Sequence, residues 1–189
     1  MNELSLFSGC GIGSWAFRNA YDWRTVGYVE WEPYCQQVIA QRIKDGFLDE
    51  APIFGDIRTF NAEFAASYRG VVDVVTGGFP CQPHSVSGQR AGSADERDMW
   101  PALCDTLRLV APRCFFGENV RGLLSSESGG YFGRILGDLA DRGYYTRWGV
   151  LSAADVGAQH KRERLWIVAH AKSRKSGIAS ERQGGANLE

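Results

Sequence analysis

Residues 71–83 read Val-Val-Asp-Val-Val-Thr-Gly-Gly-Phe-Pro-Cys-Gln-Pro. The first six form an apolar run of the kind a buried strand shows. Two glycines then break the run, and Cys81 sits between Pro80 and Gln82. This order predicts a cysteine on a stiff loop at the carboxyl end of a strand, where open α/β sheets bind ligands. A thiolate in such a place is a strong nucleophile near neutral pH. Taken alone, a cysteine is more often a buried structural residue, so its neighbours must decide.

Upstream, Leu4-Ser5-Leu6-Phe7 reads as a short strand, followed at once by Ser8-Gly9-Cys10-Gly11-Ile12-Gly13 and a helical run from Ser14. A strand, a glycine loop and a helix let backbone N–H groups approach a ligand closely. The spacing is not the dinucleotide fingerprint, which wants its third glycine further on. By itself the loop reads equally well as an ordinary glycine turn. A second strand, Thr25–Val29, ends in Glu30, placed to accept hydrogen bonds from ribose hydroxyls. A third, Pro52–Gly55, ends in Asp56, an acceptor for an adenine amino group. A fifth, Arg113–Gly117, runs into Glu118-Asn119-Val120. Because consecutive strands are usually neighbours, Glu118 is expected beside the Cys81 loop; a carboxylate alone is as readily a surface group. Residues 159–168, Gln-His-Lys-Arg-Glu-Arg-Leu-Trp-Ile-Val, join a basic head to an apolar strand. The head suits phosphate or carboxylate contact, or is simply a solvated turn.

Together these stretches resemble the DNA (cytosine-5) methyltransferase family. The matching pieces are LSLFSGCGIG at 4–13, VEWEPYC at 29–35, FGDIRTF at 54–60, GGFPCQPHSVSGQR at 77–90, GENVRGLL at 117–124 and HKRERLWIVA at 160–169, in the family's order over about residues 3 to 170. The resemblance implies transfer of a methyl group from S-adenosylmethionine to C5 of a cytosine in double-stranded DNA, with the base flipped out of the helix. It implies four catalytic residues. Cys81 attacks C6 of the base and Glu118 holds its N3 edge. Arg164 contacts the O2 side, and Arg162 orders the site and the target phosphates. For the cofactor it implies Phe7, Ser8, Gly9, Gly11 and Gly13 around the adenosine and methionine parts, Glu30 on the ribose, and Trp31 against adenine. Asp56 and Ile57 fall at the adenine edge, and Gly78 and Pro80 in the wall between cofactor and base. Residues 85–96 match the family's mobile loop. His84 stands where the family often has Phe, and His160 where it often has Gln.

The chain has 189 residues, 44% of them hydrophobic, enough for one sizeable core. No apolar run is long enough to span a membrane and no signal peptide is visible, so a cytoplasmic location is expected. The five cysteines have no CxxC pair, which favours reduced thiols over a disulfide framework. His84, His160 and His170 lack ligand spacing with cysteine, so no metal is expected. Net charge is −1, but residues 158–189 hold seven Lys and Arg against three acids, an edge suited to phosphates.

Helical patterns at Ser14–Tyr21, Glu32–Lys44, Ala62–Tyr68, Met99–Leu109 and Tyr131–Asp141 alternate with the strands. Two further strands are expected at Tyr144–Leu151 and Arg164–His170. The short link between them implies an antiparallel edge on an otherwise parallel, doubly wound α/β sheet of the Rossmann-like type. Residues 1–171 are expected to form the cofactor-binding catalytic domain. Residues 172–189 read as a polar tail, either disordered or the start of a target-recognition region. Family members continue with that region and a C-terminal fold-back helix, so a companion polypeptide supplying them is one expectation. The alternative is a catalytically incompetent remnant that binds cofactor or DNA only. RNA, the substrate of a related tRNA-modifying branch, is a third option.

Overall fold

The computed structural model describes residues 1–80 and 98–172. Seven strands form one sheet: β1 (Asn2–Leu6), β2 (Arg24–Val29), β3 (Ile53–Phe54), β4 (Val74–Gly77), β5 (Cys114–Val120), β6 (Tyr144–Leu151) and β7 (Arg164–Ala171). Their order is β3-β2-β1-β4-β5-β7-β6. The first five run parallel, and β7 pairs antiparallel with both β5 and β6. The doubly wound sheet with its antiparallel margin is therefore present, and the reversed strand is β7, one place in from the edge.

Among the described residues, five α-helices connect the strands: α1 (Ile12–Tyr21), α2 (Pro33–Lys44), α3 (Ile57–Glu63), α4 (Trp100–Val110) and α5 (Gly130–Asp141). Helices α3, α4 and α5 close the main core, where Phe60, Leu103, Leu107, Ile135 and Leu139 meet Leu4, Val75, Phe115 and Ile167 of the sheet. On the other face, Tyr28 packs with Ile39 of α2 and with Leu48, and Phe17 of α1 sits edge-on to Phe116. Pro33 opens α2, where its missing N–H costs nothing.

One helix differs from the sequence reading. α3 starts at Ile57 rather than near Ala62, because the Asp56 carboxylate accepts the Arg58 N–H at 2.8 Å and caps the helix there. Ile57 and Phe60, three apart, are buried, and a separate 3₁₀ turn covers Ala65–Tyr68. A further 3₁₀ segment, Arg121–Gly129, has no counterpart in the periodicity; Glu127 and Ser128 take left-handed φ of 51° and 57° inside it.

The strand order reverses between β1 and β4, which makes the carboxyl ends of these two strands the switch point of the sheet. Register carries the line across. Leu6 pairs with Gly77, and Gly77 with Gly117. The next residue on each strand, Phe7, Gly78 and Glu118, therefore reaches the same crevice. The suggested polar tail lies almost wholly outside the described residues.

Candidate active site

The loop after β1 owes its shape to three left-handed residues: Phe7 at φ 51°, Gly9 at 54° and Gly11 at 79°. For Phe7 that conformation carries backbone strain, of the kind that gathers at functional loops. Gly11 has a second reason to be glycine, since a Cβ there would lie 2.5 Å from Leu48 Cδ1. The Ser8 hydroxyl donates to the Ser5 carbonyl at 2.9 Å, and the Gly11 N–H donates to the Ser8 carbonyl at 2.9 Å. Glu30, one residue past β2, binds the loop from behind. Its Oε2 accepts the Gly9 N–H at 2.6 Å and its Oε1 accepts the Glu32 N–H at 2.8 Å. From α2, Arg42 donates to the Cys10 carbonyl and Gln36 to the Glu30 carbonyl, each at 2.6 Å.

A cavity of about 370 Å³ opens beside this loop. Phe7, Ser8 and Gly13 form one wall, Gly78 and Glu118 another, and Phe17, Phe116 and Trp166 an aromatic floor. Trp31, next to Glu30, is 70% exposed and stands clear of the wall. Asp56 is occupied in part as the α3 cap, and the Ile57 side chain lies in the main core. Any role of Ile57 at a ligand therefore falls to its backbone.

On the β5 side, residues alternate between the two faces of the sheet. Phe115, Gly117 and Asn119 are buried, while Phe116 and Glu118 are half-buried toward the cavity. Arg164 starts β7 on the same face, and its Nε lies 2.8 Å from Glu118 Oε1. The other carboxylate oxygen, Oε2, would be 3.0 Å from a Cβ built on Gly78. A side chain at 78 would crowd that oxygen. Asn119 turns inward, donating to the Phe79 carbonyl at 2.9 Å and accepting the Val120 N–H at 2.8 Å. It thereby holds the backbone two residues before Cys81. Phe79 is anchored below by Trp100, with ring centroids 5.2 Å apart, and Pro80 is exposed.

Arg162 takes φ 32° and is exposed. Beside it, Arg121 pairs with Glu163 at 2.8 Å. Cys81, His84 and the 85–96 loop lie outside the described residues. Sequence reasoning named Glu118, Arg164, Gly78, Phe7, Ser8 and Gly13, which this crevice brings together. It passed over Asn119, although Asn119 lies in the quoted Glu-Asn-Val, because nothing in a sequence says that an amide turns inward. It also passed over Phe17 and Trp166, which read as ordinary core aromatics. Among the described residues, no cluster of three His, Cys, Asp or Glu side chains is gathered for a metal ion. No helix among them is long and apolar enough to cross a membrane.

A seven-stranded sheet with one reversed strand and a glycine loop at its switch point defines a Rossmann-like methyltransferase fold. Solved structures agree. DNMT2 of Spodoptera frugiperda superimposes with a TM-score of 0.72 at 19% identity, over 96% of this chain and 53% of that one. The family is narrower than the fold. Residues 1–184 match the C-5 cytosine-specific DNA methylase family, and the chain belongs to it. It is 35% identical to the type II methyltransferase M.NgoMIV of Neisseria gonorrhoeae, over 76% of this chain and 44% of that protein. It is 32% identical to the type II methyltransferase M.AquIA of Picosynechococcus, over 87% of this chain and 70% of that protein. The chain spans less than half the length of the first curated relatives it matches, 44% and 49% of two Neisseria gonorrhoeae proteins and 38% of one from Bacillus subtilis.

Proposed function

We propose that this chain carries the catalytic part of an S-adenosylmethionine-dependent enzyme that methylates C5 of cytosine in double-stranded DNA. The observation that carries the reading is Glu118. Its carboxylate is paired with Arg164 on one oxygen, faces Gly78 with the other, and lines the same cavity as Phe7, Ser8 and Gly13.

The residues present fit the cofactor. A glycine loop with left-handed turns admits close backbone approach, and the cavity of about 370 Å³ is mostly apolar, with Ser5, Ser8, Thr76 and Glu118 among its lining. Phe7, Ser8, Gly9, Gly11 and Gly13 would hold its methionine and adenosine parts, with Gly78 and Pro80 on the side of the base. Glu30 would hold the ribose, Trp31 would cover adenine, and Asp56 with the Ile57 backbone would meet the adenine edge. When bound, S-adenosylmethionine supplies an electrophilic methyl group.

The protein's own work is to make C5 nucleophilic. Cys81 attacks C6 as a thiolate, which breaks the aromaticity of the ring and moves electron density onto C5. Glu118 holds N3 and places a proton there, so charge does not build up unassisted. Arg164 serves twice: it fixes the Glu118 carboxylate and presents its guanidinium toward the O2 side of the base. Arg162, exposed on a strained backbone, meets target phosphates. After a base removes the C5 proton, Cys81 leaves and aromaticity returns. Sequence recognition belongs to a segment outside this catalytic part, supplied by the same protein or by a companion polypeptide.

Bisulfite sequencing of mixed DNA treated with the full chain and S-adenosylmethionine, with and without neighbouring gene products, tests the reading. New 5-methylcytosine that disappears in Cys81→Ser supports it. Cofactor binding with no methylation under any of these conditions supports the remnant instead.

A further inference from the structure

Two thiols meet behind the cofactor loop. Cys10 lies between the left-handed Gly9 and Gly11, and Cys35 lies in the first turn of α2. Their Sγ atoms are 3.8 Å apart and both residues are half-buried. Neither thiol has a part in the chemistry proposed above. The Cys35 thiol titrates above the ordinary thiol range, through partial desolvation first, then its hydrogen bond to Cys10 and the charges of Glu30 and Glu32. Cys35 therefore rests as a neutral thiol.

We propose that Cys10 and Cys35 are a thiol–disulfide site whose oxidation draws the cofactor loop onto α2 and lowers affinity for S-adenosylmethionine. This rests on reading the Phe7–Gly13 loop as the cofactor's. A disulfide needs its sulfurs about 2.05 Å apart, so the pair must close by somewhat under 2 Å. The α2 end is the stiffer one. Cys35 is built into a helix, and Arg42, seven residues on and on the same face, already grips the Cys10 carbonyl at 2.6 Å. The loop end is flanked by two glycines, so the loop gives way. Gly9 is bonded to Glu30, and Gly11 is packed against Leu48. Moving Cys10 between them disturbs both contacts and shifts Ser8 and Gly13, which line the cavity.

The oxidant is a low-molecular-weight disulfide such as glutathione disulfide. The thiolate of one cysteine attacks it, forms a mixed disulfide and releases one thiol. The second cysteine then attacks the protein-bound sulfur, forms the Cys10–Cys35 bond and releases the other thiol. The two protein thiols lose two electrons and two protons, and both pass to the two small thiols released.

The test uses the full chain carrying Cys81→Ser, so that oxidation of the proposed nucleophile cannot obscure the result. After treatment with glutathione disulfide, peptide mapping should find Cys10 joined to Cys35. Calorimetry should find S-adenosylmethionine affinity reduced about tenfold and restored by dithiothreitol. Adding Cys35→Ser should remove the sensitivity and leave the affinity at the value of the dithiol form. The proposal is overturned if no Cys10–Cys35 link forms, or if the link forms and affinity does not change. A reduced protein that does not bind the cofactor at all overturns the cofactor reading, and this proposal with it, whatever the map shows.

Discussion

At the ends of β1 and β2, the crevice is held by backbone. Gly9 and Glu32 give their N–H groups to one carboxylate, Gly11 gives its own to Ser8, and Arg42 takes the Cys10 carbonyl. At the ends of β4, β5 and β7 it is held by side chains: an ion pair between Glu118 and Arg164, and an amide, Asn119, reaching to the Phe79 carbonyl. The first arrangement is preorganised, as a site for an unvarying cofactor can be. The second can adjust, since an ion pair at partial exposure is a weak tie. In the proposed reaction a flipped base enters and leaves, and its N3 gains charge only as the bond forms. A carboxylate held on one oxygen and open on the other suits that task.

Glu118→Gln should break the adjustable side most deeply. A loss of about 10²–10⁴ in the chemical rate is expected, the usual scale for a positioned acid, with a smaller change in DNA affinity. Single-turnover kinetics separates the two. Equal losses confined to affinity would remove Glu118 from the acid role. Gly78→Ala comes next, because its Cβ would press on Glu118 Oε2 at 3.0 Å. The rate should fall by up to about 10², as for a misplaced reacting group, while cofactor affinity falls less. If the rate holds, the carboxylate has more freedom than the ion pair suggests.

On the preorganised side, Glu30→Ala should weaken S-adenosylmethionine binding by about 1–3 kcal/mol, the cost of lost charge-assisted hydrogen bonds. Part of that loss should be indirect, since the Gly9 N–H is freed. Unchanged affinity in calorimetry would move the ribose site elsewhere.

A third carboxylate sharpens the contrast. Glu3, in the middle of the sheet, is fully buried, and its two oxygens accept the hydroxyls of Thr76 at 2.6 Å and Thr25 at 2.7 Å. Burial raises its pKa, although the hydroxyl bonds pull the other way. A carboxyl raised on folding stabilises the fold below its unfolded pKa and loses that contribution as pH rises through its folded value. Glu3→Gln removes the ionisation. It should therefore raise the melting temperature modestly near neutral pH, by ~2–4 °C if about 1 kcal/mol is recovered, and by less in acid. Parallel pH profiles for the two proteins would show that Glu3 does not titrate in this range.

The strands and their loops were legible because each announces itself locally, by an apolar run closed by Gly, Glu or Asp. Glu118 and the Gly78 loop were expected side by side from strand adjacency, and β4 and β5 do pair. What stayed hidden depends on contacts across the sequence. Glu3 gives no sign that Thr25 and Thr76 will flank it until the sheet order is known. Cys10 and Cys35 meet only because α2 packs behind the β1 loop. The Arg121–Gly129 segment runs into a Ser-Gly-Gly turn signal, but the left-handed Glu127 and Ser128 inside it are not residues that announce that conformation. Asp56 was read for its carboxylate chemistry, and its use as a helix cap was passed over, which displaced the start of α3.

The proposed chemistry turns on a covalent bond between Cys81 and C6 of cytosine. Duplex DNA rich in 5-fluorocytosine, incubated with the full chain and S-adenosylmethionine, tests it directly, because fluorine at C5 blocks the final elimination. A stable protein–DNA adduct whose peptide map ends at Cys81 is expected, and no adduct with Cys81→Ser. An adduct on Cys10, Cys35, Cys104 or Cys114, or none from protein shown to bind both cofactor and DNA, would contradict it.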